Sequence, residues 1–275
     1  MPTSTGPAPI PPVATIDDVV AALDGIIEWA GSRPSRLGYF AALYKRITLA
    51  VQTAIADDVF DDGPRMERLD VVFAARYLDA VNGRFHPGQF PTPTRSWRTT
   101  FDHADDTDPI LVQHMLSGIT SHIGLDLGIA TVKVAGRRGL PAMRRDYDRI
   151  NAVIAGQVSA VITEINDLSP ALADIYAVLQ QNQIFVINEA VVAFRDSAWR
   201  FASVLALTPG FLWGPAILAR DLQVAHQSAL IFDPPGFAID VAVDAIAARE
   251  SRDVAHNIAV LDELAEVPVP IPITP

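Results

Sequence analysis

The chain has 275 residues, half of them hydrophobic and 19% charged, with a formal net charge of −11. That is ample apolar material for a sizeable core, in one large domain or two small ones, and the acidic balance argues against a nucleic-acid partner, which needs a basic face. The absence of cysteine excludes disulfides, thiolate metal sites and Cys nucleophiles.

Met1 to Pro12 carries neither a charged n-region nor an apolar h-region, so it is not a secretory signal. Residues 1–14 read as a disordered Pro-rich arm. Thr15, with Asp18 three residues on, opens the first helix as a capping box, and Gly31 to Pro34 stops it. A second helix over 35–56 repeats Leu37, Phe40, Leu43, Tyr44, Ile47 and Val51 at helical spacing. A third, over 66–83, turns Leu69, Val72, Phe73, Tyr77 and Val81 inward, with Asp70, Arg76 and Asp79 along or beside that face. Prolines 87, 91 and 93 make 84–93 a loop. A short helix over 94–103 and an acidic turn over 102–109 follow. That turn shares its aspartate-rich composition with the metal-binding cluster of class I terpene cyclases but reads more simply as a solvated turn.

An apolar helix covering Gln113 to Ala130 comes next and leads to a connector over 136–141. Helical patterns then run over 143–168, 170–207, 215–232 and 236–264. Charges or glycines break every apolar run before roughly 18–20 residues, so no membrane span is expected and the default location is cytoplasmic. No period of 20–50 residues recurs. The expectation is all-α: a single globular domain over 15–266, about nine helices packed as an irregular bundle, with a Pro-rich tail over 267–275.

The helix over 113–130 holds His114, His122 and Asp126 among apolar residues and glycines, and buried polar groups need partners. His122 and Asp126 lie at i,i+4 on one face. As a pair they suit either a divalent metal ion or a histidine oriented by a carboxylate for acid–base work. His114, eight residues before His122, sits about 12 Å away along the axis and cannot share an ion with it. A third metal ligand must therefore come from elsewhere, with Asp70, Asp79, His86, Asp148 and Asn151 as candidates. Gly118, between the two histidines, leaves space for a ligand or for close approach of another helix. Arg195 and Trp199 at i,i+4 permit a cation–π contact, and Asp196 with Arg200 an ion pair. Arg195 then serves either as a clamp for an anionic group or as a brace between helices. P-loop, dinucleotide-binding, Gly-x-Ser-x-Gly and His-Glu-x-x-His motifs are all missing.

Taken together, Ala74 to Ala80, Arg95 to Arg98, Gln113 to Leu127 and Arg195 to Trp199 resemble the bacterial and fungal family catalogued as domain of unknown function 5995, over roughly residues 35 to 230. The resemblance implies no reaction. Where many members read His-Ile-Asn before the aspartate, this chain has His122-Ile123-Gly124, which weakens the metal reading.

The function expected is a cofactor-free isomerase, lyase or cyclase of secondary metabolism acting on an apolar small molecule in a helical pocket. In it, His122, Asp126, His114 and Arg195 are catalytic, and Gly118, Tyr77, Asp148, Asn151 and Trp199 bind substrate. The alternatives are a metal-dependent hydrolase or lyase using His122 and Asp126, and a non-catalytic binding or scaffold protein. The oligomeric state is left open.

Overall fold

The computed structural model describes residues 6–178, 183–263 and 265. The expected tail over 267–275 and the first five residues lie outside them. No β-strand occurs among the described residues, and the helices form one compact all-α domain.

Thr15 builds the expected capping box: its Oγ1 accepts from the Asp18 N–H at 3.1 Å, and its own N–H donates to Asp18 Oδ2 at 3.0 Å. Helix α1 (Ile16–Ser32) buries Val19, Leu23, Ile26 and Ile27 against α2 (Leu37–Ala56). Lys45 of α2 reaches Asp24 at 2.7 Å and Asp262 of α11 (Val254–Glu263) at 2.9 Å, tying three helices together. The expected disorder before Thr15 does not extend through residues 6–14. Ile10 is buried and exchanges two 2.9 Å backbone hydrogen bonds with the Asn82 side chain, while His86 Nε2 lies 2.9 Å from the Pro7 carbonyl. An extended strap with its backbone groups paired to side chains escapes the composition argument.

Helix α3 (Gly63–Phe85) starts at Asp62, whose side chain accepts from the Arg65 N–H. Asp146 of α6 (Gly128–Leu168) takes the Asp61 and Asp62 N–H groups. Short α4 (Arg95–Asp102) is capped from a distance: Asp221 of α9 (Trp213–Phe232) accepts from Arg95 N, Ser96 N and Ser96 Oγ at 2.8–2.9 Å.

The spine is continuous from Leu111 to Leu168. It comprises α5 (Leu111–Ser121), a π-helical turn (His122–Leu127) and α6 (Gly128–Leu168), the last kinked at Gly136, where φ is 67°. The connector expected over 136–141 thus shrinks to a single glycine in the left-handed region. By length and composition this spine qualifies as a membrane span, contrary to the sequence expectation, but 83% of its apolar window is buried within the protein. Helices α7 (Pro170–Val178), α8 (Gln183–Leu207) and α10 (Phe237–Ala247) complete the set, and the pattern over 236–264 resolves into two helices, α10 and α11, rather than one.

Asp221→Ala should cost about 2 kcal/mol, the sum of a lost cap and newly unpaired N–H groups. Urea unfolding monitored by circular dichroism measures it; a change below about 0.5 kcal/mol would mean that α4 is held by packing alone.

Candidate functional site

A π-turn closes its hydrogen bonds from i to i+5, so residues four apart come closer to eclipse than in an α-helix. In this turn His122 stands over Asp126, with Nδ1 and Oδ2 3.3 Å apart. Two more donors reach the same carboxylate: Arg76 Nε of α3 to Oδ1 at 2.6 Å and Trp97 Nε1 of α4 to Oδ2 at 2.8 Å. Burial pushes the Asp126 carboxyl up, but Arg76, His122 and Trp97 outweigh it and hold it below the ordinary value. Because Asp126 stays anionic, His122 carries its proton on Nδ1 and leaves Nε2 as a lone pair. Burial lowers His122, against the opposing pull of Asp126. It is therefore neutral near pH 7.

Aromatic rings enclose this imidazole. Phe73 stacks on it with centroids 3.6 Å apart and planes 7° from parallel, and Tyr44 meets it edge-on at 4.6 Å. Phe40, Tyr77 and Trp97 surround it at 5.8–6.1 Å. Glycines let neighbouring helices approach this segment. A Cβ on Gly124 would meet Val224 at 3.1 Å, and one on Gly128 would lie 2.8 Å from the Ala198 carbonyl. Arg220 of α9 donates to the Gly124 carbonyl at 2.8 Å, fixing the π-turn from outside.

Beside the π-turn lies a cavity of about 210 Å³, walled almost entirely by aliphatic and aromatic side chains of α2, α3, α5, α6 and α8. His122, Tyr44, Asp70, Gln157 and Arg195 are its polar lining residues. Two polar atoms of its lining residues, His122 Nε2 and Asp70 Oδ2, lack hydrogen-bond partners among the described residues, while the Tyr44 hydroxyl has the Thr48 side chain beside it as a hydrogen-bonding neighbour. Burial and the neighbouring Glu67 push Asp70 up to about 7, and burial followed by the Asp70 and Asp126 charges pushes the Tyr44 hydroxyl well above its ordinary value. The lining residues therefore include a neutral imidazole, a protonated phenol and a carboxyl group that titrates near neutrality.

The residues proposed from sequence fall in several places. His122 and Asp126 come together as expected. His114 does not join them: it lines a separate pocket of about 10 Å³ with Tyr77, Trp97 and Thr100, and burial lowers its pKa to about 3. Gly118 leaves no room for a ligand, because its missing side chain is replaced by the Phe40 ring, 2.5 Å from where a Cβ would sit. Tyr77 packs on Phe40 and Trp97 outside the main cavity. Asp148 pairs with Arg144 at 2.7 Å and Asn151 accepts from Arg195 Nε at 2.6 Å, and neither lines the cavity. Trp199 packs on Tyr147 and takes the guanidinium of Arg144, whereas Arg195 lies 4.4 Å over the Tyr147 ring. Asp196 pairs with Arg144 rather than Arg200. Arg195 is the brace the sequence allowed, and it also lines the cavity.

Tyr44, Phe73, Arg76 and Trp97 escaped assignment to the site. The first two sit at inward helical spacing, which reads as core; an arginine beside the apolar face of α3 was the one available signal for a buried carboxylate partner.

The His122–Asp126 pair does not fit a divalent ion. Both Asp126 oxygens are already committed, and Arg76 supplies the positive charge a metal would bring. His86 faces Pro7 and Asp148 faces Arg144, so neither is a third ligand. Among the described residues no group of three or more metal-ligating side chains forms.

The profile of a family described as a family of unknown function (DUF5995) matches residues 16–234. No curated protein and no solved structure matches the chain.

Arg76→Met should destabilise the fold by about 3–5 kcal/mol, since it strands a buried carboxylate; denaturant titration gives the number. Asp70 supplies a pH signature. A carboxyl raised to about 7 in the folded protein contributes stability that is full below its ordinary value near 3.8 and is lost as pH rises to about 7. Asp70→Asn should remove that decline from the melting temperature measured between pH 4 and 8. An unchanged slope would place the titration elsewhere.

Proposed function

The chain belongs to the DUF5995 family, to which no function is assigned, and we propose that it is a cofactor-free acid–base enzyme acting on an apolar small molecule. One observation carries the reading: His122 Nε2, held as a lone pair by the bond from Nδ1 to Asp126, is buried without a partner in a side chain that lines an apolar cavity. An oriented neutral imidazole is the usual general base, and such a group contributes about 10²–10⁴-fold in rate. Nε2 takes a proton from a carbon next to a carbonyl or double bond. Asp126 stabilises the imidazolium that results. The Tyr44 hydroxyl donates to the oxygen that gains negative charge. Return of the proton to a different carbon completes an isomerisation, and departure of a neighbouring leaving group makes the reaction a lyase step. Asp70, titrating near 7, supplies or accepts the second proton.

A second reading, a binding protein without turnover, is favoured by the burial that lowers His122. A weaker base accelerates proton transfer less, and the same unpaired atoms would serve to anchor a ligand.

Solvent deuterium separates the two. Incubated in D₂O with a pool of apolar metabolites, the wild-type protein should raise the deuterium content of at least one compound, read by mass spectrometry. His122→Gln, checked for fold by circular dichroism, should reduce that exchange by about 10²-fold or more. Exchange in no compound, or equal exchange with the variant, rejects His122 as a catalytic base.

A further inference from the structure

Among the described residues Arg195 is the only Lys or Arg lining the main cavity, and its side chain is almost wholly buried. Among the same residues its charge has no direct carboxylate partner. Nε donates to the Asn151 side-chain oxygen at 2.6 Å, Nη2 donates to the Tyr147 carbonyl at 2.7 Å, and the guanidinium lies over the Tyr147 ring. The nearest carboxylates, Asp148 and Asp196, are both engaged by Arg144. Nη1 makes no hydrogen bond among the described residues. A buried guanidinium whose direct hydrogen-bond partners are neutral, with Asp148 and Asp196 favouring its charge only through space, is costly, and a bidentate anion is the partner that best offsets the cost.

The rest of the cavity limits what that anion is attached to. Gln157, the polar lining group on α6, is committed to Arg46, which pairs in turn with Glu164. Ile150, Ile154, Leu127 and Val191 leave an aliphatic surface. An apolar cavity of about 150 Å³ holds benzene, so 210 Å³ accommodates roughly eight to ten non-hydrogen atoms.

We propose that the cavity takes a monocarboxylate with an unbranched or lightly branched apolar body of this size, its carboxylate on Arg195 and its reactive carbon toward His122. The proposal deepens the acid–base reading and rests on the same cavity. A planar carboxylate matches the fork of a guanidinium, whereas a neutral alcohol leaves the buried charge unpaired.

Octanoate, 1-octanol and octylamine are the probes, titrated calorimetrically into the wild-type protein, Arg195→Met, Arg195→Lys and His122→Gln. Octanoate should bind the wild type at least tenfold more tightly than 1-octanol, and octylamine more weakly than either. Arg195→Met should abolish the preference while keeping octanol binding, and Arg195→Lys should retain part of it. If the methionine variant fails to fold, the wild-type comparison and the lysine variant still decide. Equal binding of octanoate and octanol to the wild type, or a preference undiminished in a folded Arg195→Met, overturns the proposal. His122→Gln separates this outcome from the catalytic one: it should keep the carboxylate preference whether or not it abolishes deuterium exchange. Preference without any exchange leaves carboxylate binding standing and removes the enzyme; exchange without preference does the reverse.

Discussion

A carboxylate at the centre of a helical bundle has to be kept charged by its neighbours, and Asp126 is that carboxylate. It receives Arg76 from α3, Trp97 from α4 and His122 from its own turn. Leaving a charge uncompensated in such a place costs several kcal/mol, a large part of a domain's total stability of about 5–15 kcal/mol. Three segments must therefore arrive in register for the fold to close. The π-turn belongs to the same constraint, because it brings His122 over Asp126 while Gly124 and Gly128 admit α9 and α8 from outside. A straight α-helix through 122–127 would keep this pair on one face but shift the register of α6 relative to α5.

The position of the cavity follows from this arrangement. Phe73 stacks flat on His122, and Phe40 fills the notch left by Gly118, so aromatic bulk is spent enclosing the imidazole. The aliphatic positions of α2, α6 and α8 that face the other way close on one another incompletely, and the space between them remains. The polar lining groups of that space include His122, Tyr44 and Asp70, and Arg195 braced by Asn151 and Tyr147. The cavity lining is mostly apolar with a few polar groups.

Much of this was legible in the residues. Helical spacing gives nearly every element, and the capping box at Thr15 gives the start of α1. The i,i+4 relation of His122 and Asp126 gives the pair at the heart of the site, because that relation depends on local geometry alone. What the residues hide is tertiary. Gly118 is equally compatible with a ligand and with a phenyl ring, and only the path of α2 decides for Phe40. The pairing of Arg195 with Tyr147 rather than Trp199 depends on the packing of α6 against α8, which no spacing within α8 encodes. The strap over 6–14 looked disordered because its composition is; one buried Ile10 and the Asn82 side chain suffice to hold it. The π-turn is the subtlest case, since its sequence is as compatible with an α-helix as with the wider turn.

Packing alone does not account for the unpaired atoms at the cavity wall. Each buried polar atom without a partner costs about 1–3 kcal/mol. His122 and Asp70, both of which line the cavity, carry such atoms. A bundle selected only for stability would place phenylalanine, valine and leucine there, since replacing buried polar groups with apolar ones of similar volume is often neutral or stabilising. His122 sharpens the point. Its Nδ1–H is satisfied by Asp126, so a role confined to bracing that carboxylate is already discharged by one nitrogen, while Arg76 and Trp97 brace it independently. The second nitrogen adds desolvation cost and no packing benefit that a carbon would not provide. In the acid–base reading proposed above, that second nitrogen is the group that exchanges a proton with a bound molecule.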